Sequence, residues 1–271
     1  MKRLSIVATL VFCLTGCFDM DSSLFNNTEL TAYSLSTAVI PAAQRQEVVL
    51  SSQGKRIYGY FVSHPDTTQK NVILYNHGNR DHLQFYWDRV ELFYAMGFSV
   101  FIYDYRGYGK SEGESSEEGI YADAQAASEY VRITRSIPDS LITVYGFSLG
   151  GAPATHLAAN VFTPRRFILE AAFASASALT QSGTMLDVPG TFFMKGVYDN
   201  AGKIGRVKCP VMILHGTDDT FIDLEKNGRV LYNKAPAPKH LIAVPGAGHS
   251  NVPSVMGTAL YRTTVRDFIL N

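Results

Sequence analysis

Short β-forming runs recur through the chain at Val72–Tyr75, Val100–Tyr103, Leu141–Tyr145, Phe167–Leu169, Val211–Leu214 and Leu241–Val244. Runs this short and this apolar have no polar side to turn to water, so they read as strands buried on both faces. Between them lie stretches of helical periodicity: His82–Met96, Glu117–Arg135 and Leu224–Ala235, with Tyr261–Leu270 closing the chain. Strands alternating with amphipathic helices predict an α/β fold, a mostly parallel central sheet with helices on both faces. A β-hairpin opens it, because Glu47–Leu50 and Arg56–Val62 flank the polar, glycine-containing Ser51–Lys55. In such sheets the chemistry belongs to the loops just past the strands' carboxyl ends.

The loop that tests this rule is Gly146-Phe147-Ser148-Leu149-Gly150, entered from the Leu141–Tyr145 strand and left through an alanine-rich helical stretch. A Gly-x-Ser-x-Gly between strand and helix is the setting of a nucleophile elbow, with small residues flanking a sharp reversal and the serine projecting from it. A serine hydroxyl is a poor nucleophile without a base to take its proton and a carboxylate to orient that base. Asp218 and Asp219 follow the Val211–Leu214 strand, and His249 follows the Leu241–Val244 strand. The order Ser148, Asp, His is the one this topology uses, and by position either aspartate serves. Asp104 precedes the serine, and Asp223 stands where a helix N-cap is expected. Acyl transfer also needs backbone amides aimed at the developing oxyanion. Leu149, after the nucleophile, supplies one, and Asn79, in the loop after Val72–Tyr75, supplies the second. His77 is expected to bond nearby backbone.

With these residues in place the chain resembles the α/β-hydrolase superfamily, and within it the Bem46-like serine hydrolases, which include esterases and depalmitoylating thioesterases. The resemblance rests on Leu74–Asn79, Asp104–Gly113, Tyr145–Gly151, Ile168–Phe173, Cys209–Asp219 and Gly246–His249, in family order across nearly the whole domain. It implies the α/β-hydrolase fold, an acyl-enzyme mechanism and no cofactor or metal. It also chooses between the aspartates, since the family's acid is the fifth residue counted from the histidine of His215-Gly216, which is Asp219. The chain departs from the pattern at Arg80-Asp81, where a glycine-rich residue is usual, and at Ile222-Asp223, where proline often stands. The expected substrate is a small acyl ester or thioester, with palmitate among the acyl groups the resemblance brings in. Amidase, peptidase or acyltransferase chemistry on the same residues is the near alternative, and a catalytically silent binding protein the distant one.

The amino end reads as an export signal over residues 1–16, with Lys2-Arg3 ahead of the apolar Leu4–Leu14. Leu14-Thr15-Gly16-Cys17 resembles the bacterial lipobox, which makes Cys17 a lipidation site and the lipid bilayer of the cell envelope a partner, with the domain facing the periplasm. Residues 17–44, rich in Ser, Thr, Asn and Ala, read as a tether, and 45–271 as the hydrolase domain. About 171–206 the alternation breaks into an apolar stretch expected to cap the site and to favour short or medium acyl groups over charged ones. Once Cys13 leaves with the signal and Cys17 carries lipid, Cys209 has no disulfide partner and reads as a small buried residue. No Cys/His spacing suits zinc. Lys+Arg and Asp+Glu both number 24, which leaves no cationic excess for a nucleic-acid partner. Oligomeric state is not legible.

Overall fold

The computed structural model describes residues 24–66, 68–184 and 196–271. The opening hairpin is β1 (Arg45–Ser52) and β2 (Lys55–Val62), followed by β3 (Val72–Asn76), α1 (Trp87–Ala95), β4 (Ser99–Tyr103) and α2 (Glu117–Glu129). Then come β5 (Ile142–Phe147), α3 (Gly151–His156), β6 (Arg166–Glu170), α4 (Ala176–Thr184) and α5 (Asn200–Lys203). β7 (Val211–Gly216), α6 (Gly228–Lys234), β8 (Lys239–Val244), α7 (Val252–Val255) and α8 (Thr258–Leu270) complete the chain. The strands form one sheet in the order β8-β7-β6-β5-β3-β4-β2-β1. Only β2 pairs antiparallel with its neighbours β1 and β4, and the rest of the ladder is parallel. Because β3 lies between β4 and β5, the chain reverses its winding there, and the loops after β3 and β5 are brought side by side.

Alternation along the strands sends side chains to two separate cores. Leu74, Phe101 and Val144 pack on one face with α2 and α3, while Ile73, Tyr75, Ile102 and Tyr145 pack on the other with α1 and α8. Each such side chain, fully buried, stabilises by about 1.5–3 kcal/mol in transfer terms. Asn76 fastens the edge nearest the site: its Nδ2 donates to the Tyr145 carbonyl at 3.0 Å and its Oδ1 accepts from the Tyr103 hydroxyl at 2.7 Å.

The tether expected at 17–44 needs correction over the part described. From residue 24 the segment lies on the domain, across the loops that follow β3 and β4. Leu24, Phe25 and Ile40 are buried, and Asn26–Asn27 pairs in parallel with Arg80–Asp81. The Leu30 amide donates to the Gly109 carbonyl at 2.7 Å, and the Tyr33 hydroxyl to Asp104 Oδ2 at 2.5 Å. The segment is therefore tied to the domain by these contacts, although most of its polar side chains stay exposed. Residues 1–16, Cys17 and the apolar 185–194 of the expected cap lie outside the described residues. No helix among the described residues is long and apolar enough to cross a membrane.

Candidate active site

Phe147 ends β5 in extended geometry and Ser148 turns at once to φ +52°, a left-handed conformation that costs a non-glycine residue energy. Packing around the reversal enforces it. A Cβ at Gly150 would lie 2.0 Å from the Asn76 carbonyl oxygen, and one at Gly146 would lie 2.6 Å from the Gly150 carbonyl oxygen. Only glycines let the turn press against the end of β3 and the start of α3, and the serine side chain is left as the group that projects.

Two other loops meet it. His249 Nε2 lies 3.0 Å from Ser148 Oγ, and His249 Nδ1 lies 2.9 Å from Asp219 Oδ2. An ionised carboxylate only accepts, so Nδ1 carries the ring proton and Nε2 is left to accept from the serine hydroxyl. Asp219 is itself fixed. Its Oδ1 accepts the Phe221 and Ile222 amides at 3.0 and 2.8 Å, and His215 Nε2 stands 3.5 Å from Oδ2. Burial alone would raise this carboxyl, but hydrogen bonds from His215 and His249, the His249 charge and the Ile222 amide outweigh it and hold it well below the usual range. The departure at Ile222 therefore gives Asp219 an amide donor, and the Ile222 carbonyl also receives His215 Nε2 at 2.7 Å.

The competing carboxylates are placed elsewhere. Asp218 is exposed, its Oδ1 accepting from the Thr217 hydroxyl. Asp223 accepts the Lys226 amide at 2.8 Å, and Asp104 is buried under Tyr33 and the Leu83 amide. His77 is fully buried, with Nδ1 2.7 Å from the Gly78 carbonyl. Cys209 is buried just ahead of β7, its thiol pushed up to about 12 by burial.

Asn79 and Ser148 line the same cleft, about 410 Å³, with Tyr75, Phe147, Arg89 and His249. The Asn79 side chain donates to the Leu24 carbonyl at 2.9 Å and the Asn79 backbone carbonyl accepts from the Tyr108 hydroxyl at 2.9 Å, so the residue is held from both sides. Leu149 follows Ser148 in the first turn before α3, where amides lack intrahelical partners. Asp81, beside the departure at Arg80, takes φ +53°. That position asks for glycine-like geometry, which Asp tolerates better than most residues.

Sequence reasoning missed His215 as a support for Asp219, the amino-terminal segment as a support for Asn79, and Arg89 as part of the wall. The first had a signal in its place at the end of a strand. Among the described residues no group of three or more His, Cys, Asp or Glu could hold a metal ion.

The serine aminopeptidase (S33) family model matches residues 67–194. The α/β-hydrolase domain-containing protein aho-3 of Caenorhabditis elegans is 36% identical over 204 residues, 73% of this chain but 57% of the nematode protein. The human α/β-hydrolase domain-containing protein 17B is 34% identical over 208 residues, 74% of this chain and 68% of the human one. Among solved structures, the Pyrococcus furiosus esterase Pf2001 superposes with a TM-score of 0.75 at 16% identity, covering 91% of this chain and 96% of that one.

Proposed function

The chain belongs to the Bem46-like α/β-hydrolases, and from that premise we propose that it is a serine hydrolase cleaving carboxylic esters or thioesters through an acyl-enzyme. One observation carries the reading: Ser148 Oγ, His249 and Asp219 form an unbroken chain of contacts at 3.0 and 2.9 Å. His249 Nε2 takes the Ser148 proton as Oγ attacks the carbonyl, then returns it to the leaving oxygen or sulfur. Asp219 keeps the proton on Nδ1 and stabilises the imidazolium. The Asn79 and Leu149 amides receive the oxyanion. Water, activated by the same His249, releases the acid.

The same residues serve an amide, and the aminopeptidase description of the matching family model favours that as the second reading. A fluorophosphonate probe tests the first step of either. Ser148 labels rapidly and Ser148→Ala does not, whereas slow, non-selective labelling sinks both. Matched aminoacyl anilides and acyl esters then separate the two.

Cys17 is proposed as the lipid anchor of an envelope protein. Leu24, against Asn79, follows Cys17 by seven residues, an extended reach of about 25 Å at most. An anchor there keeps the mouth of the site near the bilayer and favours substrates that dwell at its surface. Cys17→Ala shifts the protein out of the membrane fraction; unchanged fractionation and mass refute the anchor.

A further inference from the structure

Arg89 is a buried cation whose donors are only partly used. It stands in α1, is 7% exposed, and lines the Ser148 cleft. Its Nη1 donates to Glu170 Oε2 at 2.5 Å and to the Tyr261 hydroxyl at 3.1 Å. Glu170, the last residue of β6, is fully buried, and its Oε2 also accepts from the Tyr145 and Tyr261 hydroxyls. One nitrogen thus fixes the guanidinium from behind. Among the described residues Nε and Nη2 have no protein partner. Neither atom is sealed in the protein, so both are open to a ligand in the cleft that Arg89 lines.

The idle pair has a specific shape. With Nη1 committed to Glu170, the edge that remains is Nε and Nη2, whose parallel N–H groups match the two oxygens of a carboxylate. Two arginines, Arg80 and Arg89, and one carboxylate, Asp88, line the cleft, with one Asp88 oxygen taken by the Arg89 amide; Arg80 pairs with Asp81 at 3.2 Å and Arg89 with Glu170, and neither of those two acids is in the lining. Tyr75 belongs to the same wall, and its fully buried hydroxyl is without a partner. Phe85, Tyr86 and Phe147 supply apolar wall for a short spacer.

We propose that the Nε–Nη2 edge of Arg89 is a carboxylate-recognition site, and that the favoured substrates of Ser148 are esters or thioesters bearing a carboxylate a few atoms from the scissile carbonyl. The proposal rests on Ser148 being the nucleophile. Glu170 acts through Arg89 as a positioning residue.

The test is the labelling rate of Ser148 in the full chain by two fluorophosphonates of equal length, one ending in a carboxylate and one in a carboxamide. The carboxylate probe should react at least tenfold faster. Arg89→Lys keeps the charge and loses the fork; Arg89→Met with Glu170→Gln removes both buried charges, so neither is stranded. In each variant the ratio of the two rates should fall towards one, and a ratio within one variant does not depend on the fraction folded. Equal rates in the wild type, or an unchanged ratio in both variants, overturn the recognition site while leaving the serine hydrolase standing. If neither probe nor a plain alkyl fluorophosphonate labels Ser148, both readings fall together.

Discussion

Two histidine–aspartate pairs stand at the carboxyl edge of one sheet, and they do different things. His249 meets Asp219 through Nδ1 and Ser148 through Nε2, with 21% of its side chain exposed to the cleft. His77 lies 3.2 Å from Asp104, with both side chains sealed from solvent. The His77 ring is stacked on Tyr86 at 5.0 Å and tilted against Tyr105 at 4.5 Å, so no substrate reaches it. Asp104 is spent on structure, accepting the Leu83 amide and the Tyr33 hydroxyl, both at 2.5 Å. The pairing of residue types is therefore not what makes a base. A base needs a second ring nitrogen that meets a nucleophile in a space a substrate can enter.

Breaking the open pair should produce the largest effects. Ser148→Ala removes the proposed nucleophile, and in a related arrangement this costs about 10⁶ in turnover. Ester hydrolysis by the purified variant should sit near background with an unchanged melting temperature, and residual activity above about a hundredth of wild type would place the nucleophile elsewhere. Asp219→Asn keeps the shape but can stabilise the wrong imidazole tautomer, a loss of about 10⁴ in kcat in an analogous triad. The check is kcat at saturating ester.

Breaking the closed pair should move stability before rate. Asp104→Ala strands two donors, each costing about 1–3 kcal/mol when buried and unmet. Urea unfolding should show that loss, with turnover per folded molecule falling by less than about tenfold. A rate loss approaching that of Asp219→Asn, in enzyme shown to be folded, would mean that the sealed pair also takes part in the chemistry.

Acid sharpens the contrast, because Asp219 is held below the usual carboxylate range. A carboxyl whose folded pKa lies below its unfolded value, about 3.9, adds stability above that value. It loses the contribution as pH falls through the folded pKa. The difference in unfolding free energy between wild type and Asp219→Asn should therefore be fullest above about pH 5 and shrink below about pH 4. A difference constant across that window would show that the surrounding donors do not favour the ionised carboxyl.

How much of this was legible in the sequence follows from how local each signal is. Ser148, His249 and the Asp218-Asp219 pair each sit just past a strand, so strand pattern and residue type were enough to bring these loops together, and the family resemblance was needed to choose Asp219. His77 and Asp104 also follow strands; chain order sets Asp104 apart, and the surroundings, Tyr86, Tyr105 and Tyr33, seal the pair away from the cleft that His249 meets. Arg89 reads as part of the polar side of an amphipathic helix. Its burial comes from Glu170 and Tyr261, far away in sequence, and no periodicity announces that contact. The amino-terminal segment was misread for a related reason. Asn27 acts through a bond to Gly107, and Tyr33 through bonds to Asp104 and the Lys110 amide, without the repeating apolar face that makes packing visible in a sequence.

The smallest effect belongs to the aspartate next door. Asp218 and Asp219 are adjacent and acidic, yet Asp218 Oδ1 accepts only from the Thr217 hydroxyl, its neighbour in sequence, and the side chain is exposed. Its backbone is what the fold uses, the Asp218 amide donating to the Ala247 carbonyl at 2.9 Å and tying the acid loop to the His249 loop. Asp218→Asn keeps that amide and exchanges one oxygen for an NH₂. The hydroxyl bond it can lose is worth roughly 1 kcal/mol, which would be about a fivefold effect if all of it reached the transition state. Solvent beside an exposed side chain replaces much of that. Turnover should therefore fall by no more than a few fold with KM nearly unchanged, against about 10⁴ for Asp219→Asn. Should Asp218→Asn prove the crippling change while Asp219→Asn stays active and folded, the aspartate serving His249 in the reaction is the exposed one, and the 2.9 Å contact to Asp219 belongs to a resting arrangement.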